Sequence, residues 1–129
     1  DVFILDGGIY GATGYQNKYS DGSPGGNLHD DFATRYQGCF DYTNEDSFNQ
    51  CITPDDIGHG VQVAGLAGGT TYGVSKKVRI HDMKVLRSNG AGNTGWAAEA
   101  LDDIMDMYEQ GTIGPKVVIN LSLGTATVE

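Results

Sequence analysis

The sequence has few basic residues and no long apolar run, and each shortage excludes a class of function. Lys and Arg total 8 of 129 residues against 17 Asp and Glu, which gives a formal net charge of −9. A nucleic-acid-binding domain normally presents a basic face, so this balance argues against that class. The apolar runs are too short to cross a bilayer, and no basic-then-apolar signal segment opens the chain. We therefore expect neither a nucleic-acid nor a membrane partner.

Cysteine is also scarce, and its two copies, Cys39 and Cys51, enclose a polar, acidic stretch. No C-x-x-C spacing or nearby histidine pair indicates a zinc site. We favour a disulfide, which would contribute roughly 3 kcal/mol by limiting the unfolded chain and would indicate an oxidising compartment. Two free thiols are the alternative.

Glycine and acid are the abundant features of the sequence. The 20 glycines among 129 residues are about twice the average usage of ~7% and predict tight turns and close backbone contacts. Acidic residues cluster over 41–46 and 102–106. We interpret both clusters as solvated surface, with cation binding as the alternative.

The order of apolar segments predicts one α/β domain over 1–129. We predict buried strands over 1–6, 78–86 and 116–123, an edge strand over 36–42, helices over 59–69 and 95–111, and a surface loop over 11–28. The last strand is nearly all apolar, which predicts burial on both faces. Strands alternating with helices indicate a parallel sheet with helices on both faces, and a site at the strands' carboxyl ends.

Each helix shows an apolar period from which a buried face can be predicted. In the first helix we expect Val63, Leu66 and Ala67 to face the sheet. In the second, Thr94 is the expected N-cap. The expected apolar face of that helix comprises Ala97, Ala98, Leu101, Ile104, Met105 and Tyr108.

Three short segments carry the chemistry of this sequence. Asp6 ends the first strand, His59 opens the first helix between two glycines, and the run 122–124 closes the last strand. Taken alone each has an ordinary explanation, since an acid after a strand often forms a turn and a histidine at a helix start can be structural. Their order, D-x-G-I, then G-H-G-x-x-V-A-G, then S-L-G, strongly resembles the subtilisin-like serine proteases, and the run 69–78 resembles the proteinase K branch.

The resemblance implies a role for each matching residue. Asp6 would be the buried carboxylate that orients the imidazole of His59, and His59 would be the general base. The two walls of the cleft would hold an extended polypeptide between glycine-rich backbones. Those walls would comprise Gly90, Ala91 and Gly92 on one side and Ser122, Leu123 and Gly124 on the other.

The sequence also departs from the family's pattern. Gly7 stands where a Thr or Ser usually follows the catalytic Asp, and Gln62 replaces the second histidine of H-G-T-H. Thr125 and Ala126 replace the usual glycine-containing turn. The family's G-T-S-M-A-type segment and its oxyanion Asn do not occur between residues 1 and 129. The resemblance therefore implies that residues 1–129 are the N-terminal part of a subtilisin-like catalytic domain, and we expect this chain to be inactive by itself.

The family resemblance further implies secretion, a monomer and no required cofactor. Calcium is the one ligand to consider, since residues 29–32 resemble a segment whose acid binds calcium in some branches. Asp31 would be that ligand, but the loop after the first helix is the short form, so a surface acid is our preferred interpretation. His29 and His81 are expected to be structural.

Three functions remain open at this point. The first is a secreted serine endopeptidase whose serine lies outside this chain. The second is a catalytically dead relative that binds peptides in the same cleft. The third is an unrelated α/β binding domain. The departures at Gly7 and Gln62 favour the second slightly. The apolar strand over 117–123 favours the first, because a binding module would not be expected to leave such a strand as an open sheet edge.

Overall fold

The computed structural model describes residues 1–9, 28–45, 51 and 58–125. Within these residues, strands and helices alternate after a short 3-10 turn. The elements are β1 (Val2–Asp6), the 3-10 turn (Ala33–Arg35), β2 (Tyr36–Asp41), α1 (His59–Gly68), β3 (Ile80–Lys84), α2 (Thr94–Glu109) and β4 (Val118–Asn120).

The described strands form one sheet in the order β2-β3-β1-β4, and every neighbouring pair is parallel. β1 lies between β3 and β4, with Val2 opposite both Ile80 and Val118. Because the strands are parallel, their carboxyl ends meet at one edge of the sheet, and Asp6 lies opposite Lys84 there. The predicted parallel α/β fold is confirmed.

α1 covers one face of the sheet with small side chains. Val61 and Ala64 of α1 pack against Val2, Ile4 and Ile80. Ile9, Leu28 and Phe32 complete this cluster. Leu28 is the only described residue of the predicted surface loop, and it is buried in the core; the rest of that loop lies outside the described residues.

α2 covers the opposite face with larger side chains. Ala100 and Ile104 of α2 pack against Phe3, Leu5 and Met83, and each of these residues is buried. Since successive strand residues point to opposite faces, the alternation along β1 supplies both cores. Helices therefore lie on both faces, as predicted.

The predicted helix faces were partly wrong. In α1 the buried residues are Gly60, Val61, Ala64 and Gly68, whereas Leu66 is 67% exposed. Close packing selected the small residues: a Cβ on Gly68 would collide with Val78 and Ile80. The sequence period was counted from the largest apolar side chains, which are not the ones that fit against this sheet.

α2 carries two apolar stripes, and only one of them faces the sheet. Ala100 and Ile104 are buried, but Leu101, Met105 and Tyr108 are exposed. Residues four apart recur on one face in either stripe, so the period alone could not select between them. The N-cap is Asn93, whose side chain accepts a hydrogen bond from the Trp96 amide, and not Thr94.

β4 is shorter and more exposed than predicted. The strand runs only over Val118–Asn120, and Val118 is 60% exposed. Among the described strands β4 pairs with β1 alone, so it is an edge and its apolar side chains lack a cover. The prediction of burial on both faces is therefore wrong for this chain.

β2 is an edge strand, as predicted, and Cys39 on it forms the predicted disulfide with Cys51. The Cα atoms of the two cysteines are 6.0 Å apart. The neighbouring acids are not all solvated: Asp41 is fully buried and accepts two hydrogen bonds from Thr43. The prediction of a solvated acidic surface over 41–46 is wrong at this position, because the carboxylate closes the turn that follows β2.

Candidate active site

Asp6 and His59 form a close side-chain pair at the carboxyl edge of the sheet. The Nδ1 atom of His59 lies 2.8 Å from Oδ2 and 3.0 Å from Oδ1 of Asp6. The Asp6 side chain is 2% exposed and the His59 side chain is 46% exposed. A buried carboxylate thus holds one ring nitrogen while the imidazole remains open to solvent.

Local backbone features bring these two residues together. Asp6 is the last residue of β1, and the amide of Gly7 donates a 2.8 Å hydrogen bond to its Oδ1. His59 is the first residue of α1, after Gly58 in the left-handed region at φ 72°. Gly60 packs so closely on the segment after β1 that a Cβ on Gly60 would collide with the carbonyl oxygen of Gly8. Glycine at 58 and 60 therefore allows α1 to begin directly against the end of β1.

Residues 7–9 form a turn, called here the 7–9 turn. Two buried charged side chains of β3 are hydrogen-bonded to its backbone. Lys84 Nζ donates to the carbonyl oxygens of Gly7 at 2.7 Å and Leu86 at 3.0 Å. Asp82 Oδ2 accepts from the amide of Ile9 at 3.0 Å. Both side chains lie on the α1 face of the sheet, as Asp6 does, because β3 and β1 run in parallel register.

Lys84 is fully buried and has an acidic partner. Oε2 of Glu45 lies 3.2 Å from its Nζ. Ser88 donates to the Glu45 carboxylate from both its amide and its hydroxyl, at 3.0 and 2.7 Å. Although partial burial opposes ionisation, the hydrogen bonds from Ser88 and the contact with Lys84 lower the pKa of Glu45 overall.

Asp82 is buried without full compensation. Its Oδ2 also accepts from the hydroxyl of Tyr36 at 3.2 Å, but Oδ1 has no hydrogen-bond partner among the described residues. Burial raises the pKa of Asp82 to about 7, against the opposing hydrogen bonds and the charge of Lys84; the negative charge of Asp6 adds to the rise. A buried carboxyl group with an unpartnered oxygen lowers the stability of the folded protein.

An apolar groove lies beside the carboxyl edge, between α2, the 85–92 segment and the chain that follows β4. Its volume is about 460 Å³. Gly90, Gly92, Leu123 and Gly124 line it, as expected for the cleft walls. Ala91 and Ser122 are exposed but are not lining residues, and the Ser122 hydroxyl donates to Asn120 Oδ1 at 2.7 Å. The floor and sides are completed by Val85, Leu86, Ala97, Ala98, Leu101 and Leu121.

The family comparison gives a direct match to this arrangement. The model of the subtilase family of peptidases, Peptidase_S8, matches residues 2–129. The chain belongs to the subtilase family. That assignment agrees with the resemblance carried by the motifs around Asp6, His59 and Ser122.

Individual subtilases are similar over roughly half of the chain. Proteinase T from Parengyodontium album is 41% identical over 70 residues, which are 54% of this chain and 24% of the relative. An extracellular serine proteinase from Thermus sp. (strain Rt41A) is 45% identical over 78 residues, 57% of this chain and 18% of that protein. The matched region is thus about a quarter or less of each relative's length.

A solved subtilase structure matches the fold over almost the whole chain. The crystal structure of a cold-adapted subtilisin-like serine proteinase superposes with a TM-score of 0.66 and 28% sequence identity. The match covers 98% of this chain and 37% of the other. The described sheet and helices therefore correspond to part of a larger subtilase domain.

Two of the departures from the subtilase pattern are near the Asp6–His59 pair along the chain: Gly7 follows Asp6, and Gln62 is three residues after His59 on α1. Gly7 offers no hydroxyl, but its amide still contacts the Asp6 carboxylate. Gln62 is exposed on α1, one turn after His59, and its backbone N–H donates to the carbonyl oxygen of Gly58. The close pairing of Asp6 with His59 is present despite both replacements.

Asp31 makes protein contacts of its own. Its carboxylate accepts hydrogen bonds from the Thr71 hydroxyl at 2.6 Å and from the Thr71 amide at 3.1 Å, and these bonds lower its pKa. This acid therefore closes the turn after α1. Calcium binding at Asp31, the less favoured of the two interpretations, stays a prediction.

One other group among the described residues has metal-ligand chemistry, formed by Cys39, Cys51 and Asp82 within 4.8 Å. Both sulfur atoms are joined in the disulfide, so they offer no thiolate.

No helix in the described part of the chain has the length and apolar character needed to cross a membrane. His81 stacks on Phe3 and His29 on Phe32, consistent with structural roles.

Our sequence prediction missed Lys84, Asp82 and Glu45. A signal was available for two of them, because Asp82 and Lys84 interrupt an apolar strand at alternate positions, and charged residues are rarely buried unless paired. Glu45 gave no such signal, since it lies in an acidic stretch that predicts solvated surface.

Proposed function

We propose that the protein carrying this chain is a secreted serine endopeptidase in which Asp6 and His59 are two of three triad members. The bidentate contact of His59 Nδ1 with the buried Asp6 carboxylate is the observation that carries the proposal. Membership of the subtilase family and the order of the two residues along the chain support it.

The geometry suits a general base. The Asp6 carboxylate accepts a hydrogen bond from Nδ1–H of His59, which favours the tautomer in which Nε2 is unprotonated. A serine hydroxyl next to Nε2 would pass its proton to that atom as its oxygen attacks the scissile carbonyl carbon. The same proton would then go to the leaving amine, and water would release the acyl group by the reverse transfers.

The nucleophilic serine and the oxyanion donor are proposed to lie in a segment outside this chain. Two described serines near the site are already engaged: Ser122 donates to Asn120, and Ser88 donates to Glu45. Neither lies in a G-x-S-x-G turn. The proposal thus assigns the base and its orienting acid to this chain, and no complete catalytic site.

The substrate is proposed to be an extended polypeptide lying between the two groove walls. Gly90 lacks a Cβ on one wall and Gly124 lacks one on the other, so a peptide backbone can approach closely. At Gly92 the missing Cβ instead makes room for Leu86. The groove is lined mainly by apolar side chains, including Leu101, Leu121 and Leu123, which favours apolar side chains on the bound segment.

Secretion is part of the proposal. The disulfide between Cys39 and Cys51 suits an oxidising compartment, and a Thermus relative is named an extracellular serine proteinase. We also propose a monomer that needs no cofactor for chemistry. Calcium at Asp31 remains a secondary proposal, weakened by the hydrogen bonds that Thr71 already donates to this carboxylate.

The test is covalent labelling of the full-length gene product with a fluorophosphonate, which reacts only with an activated serine. We expect labelling of the wild type and its loss in His59→Ala. His29→Ala, which changes a histidine outside the pair, is the matched control and should label like the wild type. Equal labelling of wild type and His59→Ala would contradict the proposed role of His59.

A peptide-binding subtilase without catalysis is the second candidate, because Gly7 and Gln62 replace residues typical of the family near the pair. That function predicts no labelling of the wild type. It also predicts saturable binding of an extended apolar peptide, weakened by Gly124→Val in the groove wall. Labelling of the wild type would exclude this candidate.

A further inference from the structure

The 7–9 turn has no side chain at its first two positions with which to hold itself in place. Gly8 adopts φ 105°, a conformation that side-chain-bearing residues rarely adopt. Contacts from neighbouring elements must therefore determine where the turn lies. On the α1 side Gly60 packs against the Gly8 carbonyl, so the turn cannot move toward the helix.

We propose that Asp82 and Lys84 are positioning residues that hold the 7–9 turn so that both carboxylate oxygens of Asp6 face Nδ1 of His59. The inference rests on the proposed function, because such positioning matters for chemistry only if Asp6 orients His59. It adds two residues that act through Asp6 and do not themselves contact the reacting groups.

The two side chains bind the two ends of the same backbone turn. The Lys84 ammonium donates to the carbonyl oxygen of Gly7, directly after Asp6, and the Asp82 carboxylate accepts from the amide of Ile9. A carbonyl and an amide held by partners of opposite charge fix both the position and the rotation of the intervening peptides. The Asp6 side chain leaves the backbone at the start of this turn, so its aim follows from the turn's placement.

Stability alone gives no reason for this arrangement. Asp82 is fully buried with Oδ1 unpartnered among the described residues, and a buried polar atom without a hydrogen bond costs stability. Lys84 is buried as well and requires Glu45 as its partner. A strand of apolar residues would avoid both costs, but it would leave the Gly7 carbonyl and the Ile9 amide without these partners.

The experiment compares two nearly isosteric pairs of variants in the full-length gene product. Asp82→Leu removes the acceptor for Ile9, whereas Asp82→Asn keeps one. Lys84→Met removes the donor to Gly7, and Met83→Leu alters the opposite, α2-facing side of β3 as a control. Asp6→Asn gives the reference state in which His59 has lost its carboxylate.

The first readout is the proton resonance of His59 Nδ1 in histidine-labelled protein, assigned by its disappearance in His59→Ala. We expect Asp82→Leu and Lys84→Met to move this signal toward that of Asp6→Asn, while Asp82→Asn and Met83→Leu stay near the wild type. The second readout is peptide hydrolysis, in which the first two variants should lower kcat by about 10- to 100-fold with little change in KM.

Folded Asp82→Leu and Lys84→Met proteins with a wild-type Nδ1 signal would overturn the inference. If Lys84→Met does not fold, the double variant Lys84→Met/Glu45→Gln removes the pair together and gives the same comparison. A wild type that neither labels nor hydrolyses peptide would defeat the proposed function alone. The Nδ1 signal would still decide whether Asp82 and Lys84 position Asp6, since it needs no turnover.

Discussion

The two edges of β1 differ sharply in how completely their surroundings are built. On the β3 side, Lys84 and Asp82 are buried and hydrogen-bonded to the 7–9 turn. On the β4 side, apolar residues of the strand and of the α2 outer stripe are exposed. We call this second region the open flank, and it comprises the exposed apolar residues outside the groove: Val118, Ile119, Met105 and Tyr108.

The difference shows which parts of a subtilase domain can be complete within this length of chain. Asp6 ends β1 and His59 begins α1, and the turn after Asp6 is hydrogen-bonded to β3. The open flank has the apolar composition of a buried surface, but no described residue covers it. We expect further strands and helices of the full domain to pack there, since the matched solved subtilase is the longer chain and only 37% of it is covered.

On the β3 side of β1, the largest expected effect is that of Asp6→Asn. Losing the carboxylate charge removes both the orientation of His59 and the stabilisation of its cationic form. We expect the rate of serine labelling to fall by about 10⁴-fold, the scale seen when an orienting aspartate is replaced in serine proteases. A decrease below about tenfold would mean that Asp6 is not the orienting acid.

Neighbouring residues of α2 provide a matched test of the two regions. Ile104→Ala should reduce the free energy of unfolding by about 2–5 kcal/mol, because the side chain is buried against the sheet. In residues 1–129 alone, Met105→Ala should cost less than about 1 kcal/mol, because Met105 is 58% exposed there. Urea denaturation of both variants gives the comparison. Equal losses in the full-length protein would show that the open flank is covered there.

Asp82→Asn should reveal the energetic cost of the β3 arrangement through pH. The folded pKa of about 7 lies above the reference value of 3.8, so the folded state binds this proton more tightly. Stability from this group is therefore greatest below about pH 4 and declines as pH rises to about 7. Relative to wild type, Asp82→Asn should be more stable by up to about 4 kcal/mol at pH 8 and about equal at pH 4. A constant difference across that range, measured by urea denaturation, would contradict the raised pKa.

Asp31→Ala should have the smallest effect. It removes the acceptor for the Thr71 amide and hydroxyl on an exposed turn, so we expect a loss of about 1 kcal/mol. Because the pKa of Asp31 is lowered from 3.8, this contribution should be present at neutral pH and disappear as pH falls through that region. Calcium that raises the Tm of wild type but not of Asp31→Ala would support the calcium proposal.

The sequence predicted the elements that depend on local pattern and order. Asp6 at the end of a strand and His59 at the start of a helix followed from motif spacing and from the parallel topology. The buried stripe of α2 could not be selected, because Ile104 and Met105 belong to two apolar stripes of equal period. β4 was predicted as buried from its composition, which reports what a complete domain requires and not what this chain supplies.

The contacts of Lys84 and Asp82 with the 7–9 turn could not be predicted from the motifs, for a different reason. Lys84 and Asp82 lie more than seventy positions from Gly7 and Ile9, and only the pairing of β1 with β3 brings them together. Charged residues in an apolar strand could have been recognised as unusual. Which backbone groups they bind depends on sheet register, and register was not predictable here.

The parallel pairing of β1 has a consequence for the order of events during synthesis. Val2 can pair only after Ile80 and Val118 have been made, so the sheet has a high contact order and is expected to form slowly. A nascent chain that has left the ribosome as far as His59 already contains both Asp6 and His59, the proposed orienting acid and general base. It still lacks β3, which holds the turn beside Asp6, and so the two residues become an aligned pair only once later sequence has folded around them.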